Sequence, residues 1–118
     1  MRRALSSLRS PTELDVQHFA SIVGDGNVLT SPADLEPYNT DWMRKYVGNS
    51  KLAVRPGSTA EVSRVLAHCH AERIGVVPQG GNTGLVGGSV PVADEVVLSL
   101  GRMDRVLSVD EDSGHLVC

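Results

Sequence analysis

Between Pro78 and Pro91 the chain reads PQGGNTGLVGGSVP, with glycines at Gly80, Gly81, Gly84, Gly87 and Gly88 and strand-like apolar runs, Ile74–Val77 and Val96–Leu100, on either side. Glycine costs the folded state extra backbone entropy, so a cluster implies positive φ or close approach of the backbone to something else. Without Cβ atoms, successive N–H groups can converge on an anion and form a phosphate-cradling nest. Asn82, Thr83 and Ser89 add short polar groups that can bond a ligand or their own backbone. No glycine trio here fits G-x-G-x-x-G, and no lysine follows Lys51, so neither a Rossmann fingerprint nor a P-loop is present. A flexible linker is the plain alternative, but linkers are rarely bounded by apolar strands.

The 118 residues allow at most one domain, or part of one. Aromatic residues are restricted to Phe19, Tyr38, Trp42 and Tyr46, so a core must rest on Val, Leu, Ile and Ala. A net charge of -3 offers no basic field, which argues against a nucleic-acid partner. No apolar stretch approaches the ~20 residues that span a bilayer. Two cysteines, Cys69 and Cys118, make no disulfide framework and suit a reducing compartment. The opening MRRALSSLRSPT carries three arginines and no acid, which fits a short mitochondrial transit segment or a frayed basic terminus.

Ser10-Pro11-Thr12-Glu13 has the form of a capping box, with Ser10 as N-cap. Val16, Phe19, Ala20 and Val23 then share one helical face, and Gly24 supplies a stop. Ser31-Pro32 marks a shorter second start, and residues 37–50 are polar and irregular. Leu52–Arg55 is a short strand ended by Pro56-Gly57. Ser58–Glu61 opens a helix with Val62, Val65, Leu66 and Cys69 on its apolar face, closed by Gly75. Val76-Val77 resumes as a strand, completing a βαβ unit with the handedness usual for such crossovers. Glu95–Leu100 reads as a buried strand, and Arg105–Val109 with His115–Cys118 as a hairpin around Asp110–Gly114. The chain stops in mid-strand, which leaves an open sheet edge and reads as the N-terminal piece of a longer protein. The expected organisation is an N-terminal extension over residues 1–45 and the first part of a larger domain over residues 46–118.

His68-Cys69-His70 cannot converge on one metal ion, because neighbours at i and i+2 on a helix point to different faces. Cys69 reads as a small core residue, and His68 and His70 as surface groups. His18 and His115 show no partner in the sequence. Asp110-Glu111-Asp112 lacks the spacing of a calcium loop and reads as a solvated turn. No nucleophile elbow or close carboxylate pair is visible.

The run from Asp41-Trp42 through KLAVRPGSTAEVSRVLAHCHAERIGVVPQGGNTGLVGGSVP to VVLSLGRMDRVLSVDEDSGHLVC resembles the FAD-linked oxidases of the vanillyl-alcohol oxidase and p-cresol methylhydroxylase type. The wording of the glycine loop favours their D-2-hydroxyglutarate dehydrogenase branch. The resemblance extends from about Phe19 to the end and implies an α+β fold. The fold so implied is the N-terminal part of a p-cresol methylhydroxylase-type FAD-binding domain, a βαβ unit followed by the glycine-rich loop and further strands. It implies FAD as cofactor, its pyrophosphate wrapped by backbone amides of Gln79, Gly80, Gly81, Asn82, Thr83, Gly84 and Leu85, with Gly88 and Ser89 on the far limb. The loop carries no His or Cys, so it offers no covalent flavin link. The implied reaction is oxidation of D-2-hydroxyglutarate to 2-oxoglutarate, the α-hydrogen leaving as hydride to flavin N5. Electrons then pass to electron-transfer flavoprotein in the mitochondrial matrix. The family's substrate-binding arginine and zinc ligands lie beyond Cys118, so no catalytic or metal residue is assigned. Two alternatives are a sister enzyme acting on D-lactate or glycolate, and a truncated product without catalysis.

Overall fold

The computed structural model describes residues 8–118. The start of the proposed transit segment therefore lies outside the described residues. The chain runs through α1 (Glu13–Val23), a 3-10 turn (Asp25–Asn27), β1 (Val28–Leu29) and α2 (Pro32–Asn39). It continues through β2 (Ala53–Val54), α3 (Thr59–Ala71), β3 (Val76–Gln79), β4 (Val96–Ser99), β5 (Ser108–Asp110) and β6 (His115–Val117). Helices and sheet mix in the α+β manner expected.

Four strands form one sheet in the order β1-β2-β4-β3, with β1 antiparallel to β2 and the other pairs parallel. The expected strand-helix-strand unit is present, but β4 lies between its two strands. Val97 explains that placement: it pairs with Ala53 on one side and Val77 on the other, and β4 is buried along its whole length. A strand buried on both faces is stable only between two partners and covered above and below. The glycine loop is thus the connection from β3 back to the start of β4.

The main core lies where α1 and α3 cover the sheet and contains Phe19, Val54, Val65, Cys69, Val96 and Leu98. Phe19 is fully buried, with the rings of His18 and His68 close by. A smaller cluster, Leu35, Ala53 and Val97, seats α2. Residues of the expected N-terminal extension therefore contribute a strand and two helices that pack against the rest.

Several local expectations are corrected. Leu66 is exposed rather than on the buried face of α3. Thr12, not Ser10, is the N-cap of α1, because the Asp15 carboxylate reaches back to accept the Thr12 N–H at 2.7 Å and its hydroxyl at 2.8 Å. Helix α3 ends at Ala71, four residues before Gly75; Arg73 takes the positive φ of the turn. Gly75 instead permits a close approach, since a Cβ there would sit 2.7 Å from the Glu95 side chain.

His18 and His68 are not isolated surface groups. Their rings stack at 4.1 Å, and His68 Nε2 lies 2.8 Å from Asp15 Oδ1. Asp15, buried at 2% exposure, also receives two hydrogen bonds from the Arg9 guanidinium, at 2.7 and 2.8 Å. Arg9 forms a parallel bridge with Ile74 and bonds Glu72, so residues 9–15 are clipped onto the end of α3. Hydrogen bonding from Arg9 holds the Asp15 carboxyl well below the usual carboxylate range.

The hairpin β5–β6 forms its own two-stranded sheet and is exposed at every residue. It turns where expected: Asp110 Oδ1 accepts from the backbone N–H groups of Asp112 and Ser113, and Gly114 takes φ +71°.

Candidate functional site

Strands β2, β3 and β4 run parallel, so their C-terminal ends share one edge of the sheet. In open sheets of this kind, ligands collect at the carboxyl ends of the strands. There the chain places Pro56-Gly57 after β2, Gly80-Gly81 after β3 and Leu100-Gly101 after β4. A cleft of about 690 Å³ opens beside Gly57, Ser58, Leu100, Arg102 and Met103. Arg102 donates to the Arg55 carbonyl at 2.7 Å, tying the β2 and β4 ends together.

The nine residues nominated from the sequence fall into two groups. Gln79, Asn82 and Ser89 hold the loop. Gln79 ends β3 at 3% exposure, and its amide nitrogen donates to the carbonyls of Tyr38 (2.9 Å) and Ser89 (3.0 Å). Asn82 has φ +55°, a conformation asparagine tolerates better than most residues. Its amide nitrogen donates to the carbonyls of Thr40 (2.7 Å) and Pro37 (3.3 Å), and its oxygen accepts from the Ser89 hydroxyl at 2.6 Å. Both limbs of the loop are thereby pinned to the end of α2. The short polar side chains here are committed to shape, which the sequence left open.

Gly80, Gly81, Thr83, Gly84, Leu85 and Gly88 form the exposed group. A Cβ at Gly80, Gly84 or Gly88 would meet nothing within 4 Å, and at Gly81 only the Thr83 methyl at 3.8 Å. None of these four glycines has positive φ. Neither backbone strain nor packing within the described residues therefore demands glycine at these positions. No backbone N–H of residues 81–89 donates to an acceptor among the described residues. A run of unspent amides beside open glycines suits an anion large enough to need the missing side-chain volume, and a pyrophosphate fits. Gly87 is different: its φ is +75°, and a Cβ would lie 2.9 Å from the Tyr46 ring.

Sequence reasoning missed the segment that packs against the loop. Residues 39–50 fold back on themselves, closed at the base by Asn39 and Ser50. The Asn39 amide donates to the Ser50 carbonyl at 2.9 Å and accepts the Ser50 N–H at 2.8 Å. Asp41, 2% exposed, organises the tip by accepting the N–H groups of Tyr46 (2.8 Å) and Met43 (3.2 Å). The bond from Tyr46 leads in holding the Asp41 carboxyl below its ordinary value. The Asp41-Trp42 pair was the only signal available in the sequence.

Among the described residues no cluster of His, Cys, Asp or Glu could hold a metal ion, so the zinc implied by the resemblance enters no step below. No helix among them is long and apolar enough to cross a membrane.

The family model of the FAD binding domain matches residues 50–118. The chain is 57% identical over 104 residues to the mitochondrial D-2-hydroxyglutarate dehydrogenase of Arabidopsis thaliana, covering 88% of this chain and 19% of that protein. It is 53% identical over 110 residues to a putative mitochondrial D-lactate dehydrogenase of Schizosaccharomyces pombe, covering 87% of this chain and 21% of that one. The chain thus spans about a fifth of the length of these curated relatives. A structure of p-cresol methylhydroxylase with substrate bound superposes with a TM-score of 0.71 at 29% identity, over 82% of this chain and 20% of that one. Alkyldihydroxyacetonephosphate synthase shares the fold, with a TM-score of 0.74 at 20% identity, over 89% of this chain and 22% of that one. The chain belongs to the FAD binding domain family, as part of a p-cresol methylhydroxylase-type domain whose cofactor is FAD.

Proposed function

We propose that the polypeptide carrying this chain is an FAD-dependent dehydrogenase that oxidises D-2-hydroxyglutarate to 2-oxoglutarate. This chain supplies the loop that holds the cofactor's pyrophosphate. The observation that carries the reading is the coincidence, on one loop, of backbone amides at residues 81–89 that donate to no acceptor among the described residues with glycines at 80, 84 and 88 that nothing among those residues requires. Backbone amides of Gln79, Gly80, Gly81, Asn82, Thr83, Gly84 and Leu85, with Gly88 and Ser89 opposite, are the groups assigned to the pyrophosphate. Bound flavin supplies a two-electron acceptor for the hydride leaving the substrate's α-carbon. The chain's own share is binding and orientation. Fixed N–H dipoles offset the diphosphate charge without needing a lysine, and the struts Gln79, Asn82 and Ser89 hold them in place before the ligand arrives.

The choice of D-2-hydroxyglutarate rests on the names of several relatives, including those from Arabidopsis thaliana and Bos taurus. The putative D-lactate dehydrogenase among them supports D-lactate as the second reading. Electron-transfer flavoprotein is the proposed acceptor. The mitochondrial names of the relatives support a mitochondrial location, and we assign the matrix. The polypeptide purified at the length of its relatives should show flavin absorbance. Under anaerobic conditions that absorbance should bleach fastest with D-2-hydroxyglutarate. Faster bleaching with D-lactate or glycolate would reassign the substrate, and a colourless protein that takes up no FAD would refute the reading.

A further inference from the structure

We propose that the folded-back segment 39–50 is a brace that sets the glycine loop in its ligand-competent shape, with Asp41 and Tyr46 as positioning residues. The inference rests on the FAD reading only for the identity of the ligand; the brace itself stands on geometry.

Among the described residues three bonds tie the glycine loop to itself, Gln79 to the Ser89 carbonyl, the Ser89 hydroxyl to Asn82 and the Val90 N–H to the Gly87 carbonyl, and Val90 is buried at its far end. Its exposed limb has no buried apolar side chain, with Leu85 and Val86 54% and 83% exposed. A loop of this composition fluctuates unless outside contacts select one shape. The polar ones come from the end of α2 and from Thr40. Asn82 and Gln79 bond carbonyls at Pro37, Tyr38 and Thr40, fixing the near limb. The far limb is fixed at two points by the brace. The Tyr46 ring comes within 2.9 Å of where a Gly87 Cβ would be, and a Cβ on Gly48 would sit 2.6 Å from the Pro91 ring. Gly48 N also donates to the Asn39 carbonyl at 2.6 Å, so the brace is closed at that same point. The contact works in both directions: Gly87 must be glycine because Tyr46 is there, and Tyr46 stays there because Asp41 holds its backbone N–H.

Asp41 is the organising group because one buried carboxylate caps two backbone donors that would otherwise be orphaned by the turn. Arg44, at φ +55°, donates its N–H to the Asp41 carbonyl at 2.9 Å and completes the turn. No part of this segment reaches the exposed glycines, so its effect on a ligand there acts through Gly87, Asn82 and Pro91.

The test uses the polypeptide purified at the length of its relatives, in the variants Asp41→Asn, Tyr46→Ala and Tyr46→Phe, with Trp42→Ala as the exposed neighbouring control. On the apoprotein, cleavage within residues 80–91 by a broad-specificity protease is read beside backbone hydrogen exchange of β4, and FAD affinity by flavin fluorescence. Tyr46→Ala and Asp41→Asn should speed cleavage in 80–91 while leaving β4 exchange unchanged, and should weaken FAD binding about tenfold or more. Tyr46→Phe keeps the ring and should restore both; Trp42→Ala should alter neither. Unchanged cleavage in residues 80–91 would overturn the brace, as would accelerated exchange in β4, which reports general loss of stability. Changed cleavage with unaltered FAD affinity would overturn the positioning role. A parent protein that binds no FAD, yet shows the stated cleavage pattern, would retire the cofactor assignment and leave the brace standing.

Discussion

Glycines within one loop serve opposite ends here, and substitution separates them. Gly84 lies in open space without positive φ, so Gly84→Val should leave the melting temperature of the apoprotein unchanged and yield largely flavin-free protein at the relatives' length. Equal flavin content in variant and parent would show the loop misassigned. Gly87→Ala, by contrast, combines positive φ with a collision at Tyr46 and should cost ~1–3 kcal/mol of loop stability with or without flavin. Asp15 makes a pH prediction. Its folded-state carboxyl is depressed, chiefly by Arg9, so its contribution is present above the unfolded value of ~3.9 and is lost as pH falls below it. Urea midpoints should therefore hold from pH 7 to about 5 and then fall as the pH drops through the unfolded value towards the depressed folded one, less steeply in Asp15→Asn, which should already be ~1–3 kcal/mol weaker at pH 7. Cys69 is raised to about 11 by burial, so its thiol should resist labelling at pH 8 while exposed Cys118 reacts. Cys69→Ala should lower stability and leave turnover per bound flavin near normal.

Among the elements, α1 is attached more firmly than its length implies. It reaches the core through Phe19 and is clipped at its start by the contacts among Arg9, Asp15, His68 and Glu72. Phe19→Ala should cost ~3–5 kcal/mol, measured by denaturant unfolding, because the cavity lies between two helices and a sheet that cannot all collapse. The hairpin β5–β6 is the opposite case. Val106, Leu107, Val109, Leu116 and Val117 are all more than half exposed, so nothing among the described residues stabilises it beyond its own ladder. A lone two-stranded hairpin is marginal in water. Amides of residues 108–117 should exchange within the earliest time points, while those of β4 remain protected.

For the whole molecule, the radius of gyration of 15.3 Å exceeds the ~13.5 Å expected of a compact domain of this length. With that hairpin uncovered, the 118-residue chain alone should be loosely packed or aggregate; sharp cooperative melting of a monomer with dispersed amide signals would contradict this. The exposed loop meets one part of a dinucleotide and offers little to bury adenine or isoalloxazine. Binding must also overcome ~4–15 kcal/mol of lost translational and rotational freedom. The isolated chain should therefore purify without stoichiometric flavin. One flavin per chain would overturn that.

Local chemistry was legible in the residues themselves. The stop at Gly24, the start at Ser31-Pro32, the turn at Asp110–Gly114, the buried run Val96–Ser99 and the glycine-rich connection between two strands over residues 78–91 each depend on neighbours within a few positions. Short-range sterics and capping act on such spans whatever surrounds them. The pairing of β4 between β2 and β3, the burial of Asp15 beside His68, and the docking of Tyr46 on Gly87 join residues far apart in the chain. Only the folded structure decided them, because a buried carboxylate and an exposed one look alike in sequence until their partners arrive. The same holds for the glycines: composition marked the loop, but tertiary contacts alone separated Gly87, required by the protein, from Gly80, Gly84 and Gly88, left open on its surface.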